Sequence, residues 1–229
     1  MSRLLVEDGS EQFDVTVLEA KEARCSVLFA VGSGGNPERH LPLLSYLAEH
    51  GCQVLAPHFE RLVSPEVTAR DLLLRARRLR LAVDSALRPG LPLSGVGHSI
   101  GATLLLALAG AQLWLRSGQV LPIEPDPRLE KLVLMTPPTG FFRAPGALHA
   151  VRAPILAWGG TNDVITPPAQ IEYLKGALAA RPSVDVRVAE GAGHFSFMNT
   201  PPPGTEEPLP NREAFLASLA VEIHRFITG

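Results

Sequence analysis

Leu93-Ser94-Gly95-Val96-Gly97-His98-Ser99-Ile100-Gly101-Ala102-Thr103-Leu104-Leu105-Leu106 passes from a short apolar segment, through a Gly-x-Ser-x-Gly pentapeptide, into a second apolar run. The first segment has the length of a buried strand. The run from Ile100 to Leu115 is broken by Thr103, Gly110 and Gln112 and is shorter than the ~18–20 residues that cross a bilayer, so it reads as a buried helix over 100–116. A serine between such a strand and helix is held in a strained backbone conformation that pushes its hydroxyl out of the sheet. The flanking glycines give the turn room, and the helix N-terminus aims amide dipoles at the oxygen. The pentapeptide alone also suits a plain helix-capping turn. The strand before it and the helix after it make Ser99 a candidate nucleophile.

Strand-like and helix-like segments alternate outward from this point in both directions. Strands are predicted at 4–6, 13–19, 25–31, 53–56, 93–96, 132–135, 155–158 and 184–188, eight in all, and helices at 37–49, 66–87, 100–116, 168–180 and 212–226. That alternation predicts an α/β fold: a mostly parallel eight-stranded sheet with helices on both faces. Asn36 before Pro37 and Gly51 after His50 mark the ends of one helix, and Pro168 and Asn211 mark later starts. Along 66–87, Ala69, Leu72, Leu73, Ala76, Leu79 and Val83 share a face, and Arg70, Arg75, Arg77, Arg78 and Arg80 are read as a solvated one. The Pro-rich stretches 121–128 and 200–210 fall where connections are needed.

At 229 residues the chain is expected to form a single domain, 1–229. With 21 Lys and Arg against 23 Asp and Glu, the net charge of −2 leaves no electrostatic footprint for nucleic acid or an anionic membrane, so neither is an expected partner. Cys25 and Cys52 form no Cys-x-x-Cys pair and are read as buried thiols. Residues 1–8 reach an acidic pair after three apolar residues, unlike a secretory leader, and the expected location is cytoplasmic. Oligomeric state is not set by the sequence.

A serine hydroxyl needs a base within reach and a group to orient that base. Asp163 lies in Gly159-Gly160-Thr161-Asn162-Asp163 after the strand at 155–158, and His194 lies in Gly191-Ala192-Gly193-His194-Phe195 after the strand at 184–188. Parallel strands bring their carboxyl ends to one edge, where ligands of open α/β sheets bind, so Ser99, Asp163 and His194 are expected to converge there. His40, His50, His149 and His224 show no spacing with carboxylates or cysteines that suggests a metal site, and no metal or organic cofactor is expected. The glycine-rich 32–35 loop lacks a nucleotide-binding fingerprint.

With these residues in view, the chain resembles the α/β-hydrolase superfamily over nearly its whole length, in the form of compact, dienelactone-hydrolase-like or small esterase members. The resemblance rests on the elbow at 97–101, the Gly-x-x-Asp-x-x-x-Pro stretch ending at Pro167, the Gly-x-x-His-Phe turn, and the order serine, aspartate, histidine. It implies that Ser99 attacks a carbonyl carbon, His194 takes and returns the proton, and Asp163 fixes the imidazole tautomer. The implied oxyanion hole uses the backbone N–H of Ile100 and one from 31–35, with Ser33 favoured and Gly34 next. Only 136–153 separates the sixth and seventh strands, so the cap is expected to be minimal, with Phe59, Phe141, Phe142 and Phe195 as pocket walls. His98 is read as packing under the elbow, and His58 as a loop or pocket histidine. Serine at 99 departs from the cysteine of dienelactone hydrolases. The implied activity is cleavage of a small-molecule carboxylic ester or thioester through an acyl-enzyme on Ser99. The alternatives are an acyl-transferase or perhydrolase using the same triad, or a non-catalytic binding protein of this fold.

Overall fold

The computed structural model describes residues 1–63, 67–179 and 183–229. Eight strands form one sheet: β1 (Ser2–Asp8), β2 (Glu11–Leu18), β3 (Cys25–Ala30), β4 (Cys52–Pro57), β5 (Leu93–His98), β6 (Leu129–Met135), β7 (Ile155–Gly160) and β8 (Val184–Ala189). Their order is β1-β2-β4-β3-β5-β6-β7-β8. β1 and β2 run antiparallel, β2 meets β4 antiparallel, and every later pairing is parallel. The chain places β4 on one side of β3 and β5 on the other. Ala30 lies in register with Gly97, so the loops leaving β3 and β5 emerge side by side at this switch point.

Among the described residues the α-helices are α1 (Leu41–Glu49), α2 (Ala69–Ala86), α3 (Ile100–Leu108), α4 (Ala169–Ala177) and α5 (Arg212–Thr228). Alternate strand residues face opposite cores. Leu28, Leu132, Leu134, Ile155 and Ala157 pack with α2, α3 and α4, whereas Val27, Phe29, Val96, Val133 and Leu156 pack with α1 and α5. The central strands are buried on both faces, which is why they read as continuous apolar runs. Every residue of α3 is buried. No helix among the described residues is long and apolar enough to cross a membrane.

Several boundaries differ from the sequence reading. Glu66 and Ala180, expected as helix ends, lie outside the described residues. The first turn of the 37–49 helix is a separate 3₁₀ turn, Pro37–His40, whose Glu38 N–H is capped by the Asn36 side chain. The helix expected over 100–116 stops at Leu108. Gly110 adopts φ 107°, and the N–H groups of Gly110 and Ala111 fold back onto the Ala107 and Leu106 carbonyls, a left-handed cap that reverses the chain. Ala111 and Leu113 remain buried beyond it, so apolarity continues where helical geometry does not. Asn211 starts α5 from a left-handed conformation without a side-chain cap.

The arginine face of α2 also requires correction. Arg75 and Arg78 are buried. Arg78 Nε donates to Asp8 Oδ2 at 2.8 Å and also pairs with Glu11, while Arg77 bonds the same Asp8 carboxylate. Burial raises the Asp8 pKa, but the hydrogen bonds from Arg78 and Arg77 outweigh it and hold the carboxyl below its ordinary value.

Candidate active site

Ser99 stands between β5 and α3 at φ 54°, ψ −127°, a conformation that side chains rarely adopt. Backbone bonds hold it there: its N–H donates to Met135 O at 2.9 Å, and its carbonyl accepts from Ala102 N at 2.9 Å and from Thr103 N at 3.3 Å. The glycines of the elbow are required by contact. A Cβ on Gly101 would lie 2.0 Å from Ala30 O, and one on Gly97 would lie 2.8 Å from Ala102 N.

Asp163 and His194 leave the carboxyl ends of β7 and β8 and meet Ser99. His194 Nε2 lies 3.0 Å from Ser99 Oγ, and His194 Nδ1 lies 2.9 Å from Asp163 Oδ2. The carboxylate can only accept, so Nδ1 carries the proton and Nε2 presents its lone pair to the serine hydroxyl. The three expected residues are thus brought together. Asp163 is buried, which raises its pKa, yet bonds from His194 and Thr166 bring it below the ordinary value, so it is ionised at neutral pH.

Thr166, which the sequence reading missed, anchors the Asp163 carboxylate. Its N–H donates to Asp163 Oδ1 at 2.7 Å, its hydroxyl donates to Asp163 Oδ2 at 2.6 Å, and Oγ1 lies 3.0 Å from His194 Nδ1. The Ile165 N–H also donates to Oδ1, at 2.9 Å. The signal was present: an aspartate followed by Thr at the third position is a local side-chain-to-backbone turn.

Two contacts position the histidine loop from behind. The buried His98 donates from Nε2 to the His194 carbonyl at 2.9 Å, and burial, with His194 and His40 nearby, keeps this imidazole neutral, well below its usual titration range. Gly193 N–H donates to Ser196 Oγ at 2.8 Å, and the Ser196 hydroxyl is held by Glu207 from the Pro-rich segment. His58 instead pairs with Thr16 Oγ1 at 2.7 Å, away from Ser99.

Ser99 opens into a cleft of about 240 Å³, lined by Gly32, Ser33, Gly34, His194, Phe195 and Met198, with Pro202, Pro203, Arg39 and Arg61 also among its lining residues. Of the four phenylalanines expected as walls, only Phe195 lines it. Phe142 is fully buried in the core, Phe141 packs against that core, and Phe59 lies under the Arg75 guanidinium. The physical reason lies in the 136–153 connection. Bonds from Thr139 to Gln170 and from the Tyr173 hydroxyl to Phe142 O draw it down against α4 instead of over the carboxyl edge. The cap is minimal, as the short connection predicts.

The 31–35 loop leaves β3 beside the elbow. The N–H groups of Ser33, Gly34 and Ile100 donate to no acceptor among the described residues, so all three are available to a ligand in the cleft.

No protein-family model matches the chain. No curated protein matches it either. Solved structures do. Esterase 2 of Thermogutta terrifontis, in its propionate-bound form, superposes with a TM-score of 0.69 at 16% identity, over 99% of this chain and 92% of its own. An α/β serine hydrolase homologue from Coxiella burnetii gives 0.66 at 17% identity, over 98% and 96%. Dienelactone hydrolase from Anabaena variabilis gives 0.67 at 22% identity, over 99% and 96%. The chain therefore has the α/β-hydrolase fold.

Proposed function

We propose that residues 1–229 form a single α/β-hydrolase domain acting as a serine hydrolase on small-molecule carboxylic esters or thioesters. The observation that carries this reading is the unbroken chain from Ser99 Oγ to His194 Nε2 and from His194 Nδ1 to Asp163 Oδ2, at 3.0 and 2.9 Å, opening into the cleft. In the first step Ser99 Oγ bonds to the substrate carbonyl carbon while its proton passes to His194 Nε2. Negative charge collects on the former carbonyl oxygen, facing the Ile100 and Ser33 or Gly34 N–H groups. Collapse breaks the bond to the alcohol or thiol, which leaves with the proton from His194. Water then attacks the acyl-enzyme, giving its proton to His194, and the acid is released as Ser99 recovers the proton. Asp163 stays ionised throughout and stabilises the imidazolium.

Two properties of a similar protein support the reading. The Thermogutta terrifontis esterase has been captured with propionate and butyrate, and phosphoramylated by tabun. A cleft of about 240 Å³ suits short acyl groups better than long ones. The test is a panel of p-nitrophenyl esters and matching thioesters of increasing acyl length, with Ser99→Ala as control. Hydrolysis concentrated on short acyl groups and lost in the variant is expected; equal turnover by Ser99→Ala sinks the reading.

A further inference from the structure

Arg75 is 2% exposed, yet its guanidinium makes no direct ion pair with a carboxylate among the described residues; Asp71, one turn earlier on α2, acts on it only at a distance. Among the described residues its hydrogen bonds go to backbone oxygens: Nη1 donates to Gly32 O at 2.9 Å, and Nη2 donates to Ser33 O at 3.2 Å and Glu60 O at 2.6 Å. The Phe59 ring covers it at 4.9 Å. Burial pulls its pKa down to about 10, which leaves it charged at neutral pH. A buried charge with no directly bonded counter-ion among the described residues is costly, and an apolar side chain of similar size would normally serve the core as well or better.

What this charge does follows from peptide geometry. In a trans peptide the carbonyl of one residue and the N–H of the next point to opposite sides of the chain. Drawing Gly32 O toward Arg75 turns the Ser33 N–H away from it, and drawing Ser33 O the same way turns the Gly34 N–H away too. Ser33 and Gly34 line the cleft with Ser99, whereas Arg75 does not, so the opposite side is the side of the nucleophile. Gly32 itself lies against the elbow, since a Cβ there would meet Ser99 Cβ at 3.4 Å.

We propose that Arg75 is the positioning residue of the oxyanion hole, its guanidinium pinning the Gly32 and Ser33 carbonyls so that the Ser33 and Gly34 N–H groups point at the oxygen that becomes charged on acylation of Ser99. The proposal rests on the serine-hydrolase reading above. Backbone N–H groups of Gly35 and Leu62 also bond these two oxygens, at 3.1 and 2.9 Å, so the loop keeps its course without the arginine. What it loses is the rigid fork that fixes both peptide planes, and a positive charge behind them in a dry interior.

The experiment compares wild type, Arg75→Met and Arg75→Lys, with Arg75→Ala used for rescue by added methylguanidinium. An oxyanion donor is worth about 10²–10³ in kcat, so partial misalignment of such donors is expected to lower kcat by roughly 30- to 100-fold. KM is expected to stay within about twofold, because the uncharged substrate carbonyl gains little from these donors. The pH dependence of kcat should not move, Arg75→Lys should recover only part of the rate, and methylguanidinium should raise the rate of Arg75→Ala several-fold. A merely structural arginine changes stability and leaves the kcat-to-KM split and the rescue absent. If Arg75→Met fails to fold, the lysine and alanine variants carry the same test. Wild type that reacts with a fluorophosphonate at Ser99 while Arg75→Met and Arg75→Lys keep wild-type kcat overturns this proposal alone. Wild type that forms no such adduct overturns the serine-hydrolase reading and this proposal with it.

Discussion

Replacing Ser99 by glycine is expected to make the protein more stable than replacing it by alanine, although both changes remove the same hydroxyl. Ser99 sits at φ 54°, ψ −127°, where a Cβ clashes with its own backbone and glycine does not. Strain of this kind costs about 1–3 kcal/mol and persists because the surroundings enforce it. Here the enforcing contacts are backbone ones, from Ser99 N to Met135 O and from Ala102 N and Thr103 N to Ser99 O, and all remain whatever the side chain. Glycine gives back about 0.4–1 kcal/mol through the greater freedom of its unfolded chain. The net advantage of Ser99→Gly over Ser99→Ala is therefore about 0.5–2 kcal/mol, and for a chain of this size each kcal/mol moves the melting temperature by roughly 2–4 °C. Thermal unfolding followed by circular dichroism, with urea midpoints as a second measure, reads the difference directly. A glycine variant that melts at or below the alanine variant refutes the claim that the elbow is strained at Ser99.

Asp163→Asn should lower kcat about 10⁴-fold by losing the acceptor that fixes the His194 tautomer, and a loss below tenfold in ester hydrolysis points to another acid. Asp8 is held below its ordinary pKa by Arg78 and Arg77, so the stability it contributes is present above the ordinary carboxylate range and lost as pH falls through its folded value. Urea midpoints between pH 5 and pH 2 should consequently fall less steeply for Asp8→Asn than for wild type, and parallel curves contradict the assignment. Pro202 and Pro203 line the cleft, and replacing both by glycine should alter the ratio of short-chain to long-chain ester turnover more than it alters the melting temperature. An unchanged acyl-length profile makes the segment a tether.

Backbone periodicity and the elbow made the sheet legible in the sequence. Runs such as 25–31 and 155–158 are apolar throughout because helices cover both faces, and each of the eight strands falls where the alternation places it. Asp163 and His194 were legible because parallel strands deliver whatever follows them to one edge. Side-chain placement within connections was harder to read. Phe141 and Phe142 look like pocket walls in sequence, but two hydrogen-bonded anchors, Gln170 and Tyr173, turn their loop toward the core, and those contacts come from a separate element. Gly110 ends α3 early because a left-handed cap satisfies its last carbonyls, although the apolar pattern runs on. Arg75 carried an overlooked signal. It stands with Leu72, Ala76 and Leu79 at the spacing of the buried face of α2, and only its charge suggested solvent.

The central claim is that Ser99 is the nucleophile activated by His194, and covalent capture tests it most directly. The protein is incubated with a fluorophosphonate, its intact mass is recorded, and the modified peptide is sequenced by fragmentation, alongside Ser99→Ala and His194→Ala. The account predicts one adduct per chain, located on Ser99, absent from Ser99→Ala and formed far more slowly by His194→Ala. A folded wild-type protein that takes up no label, or an adduct on another residue that persists in Ser99→Ala, contradicts it.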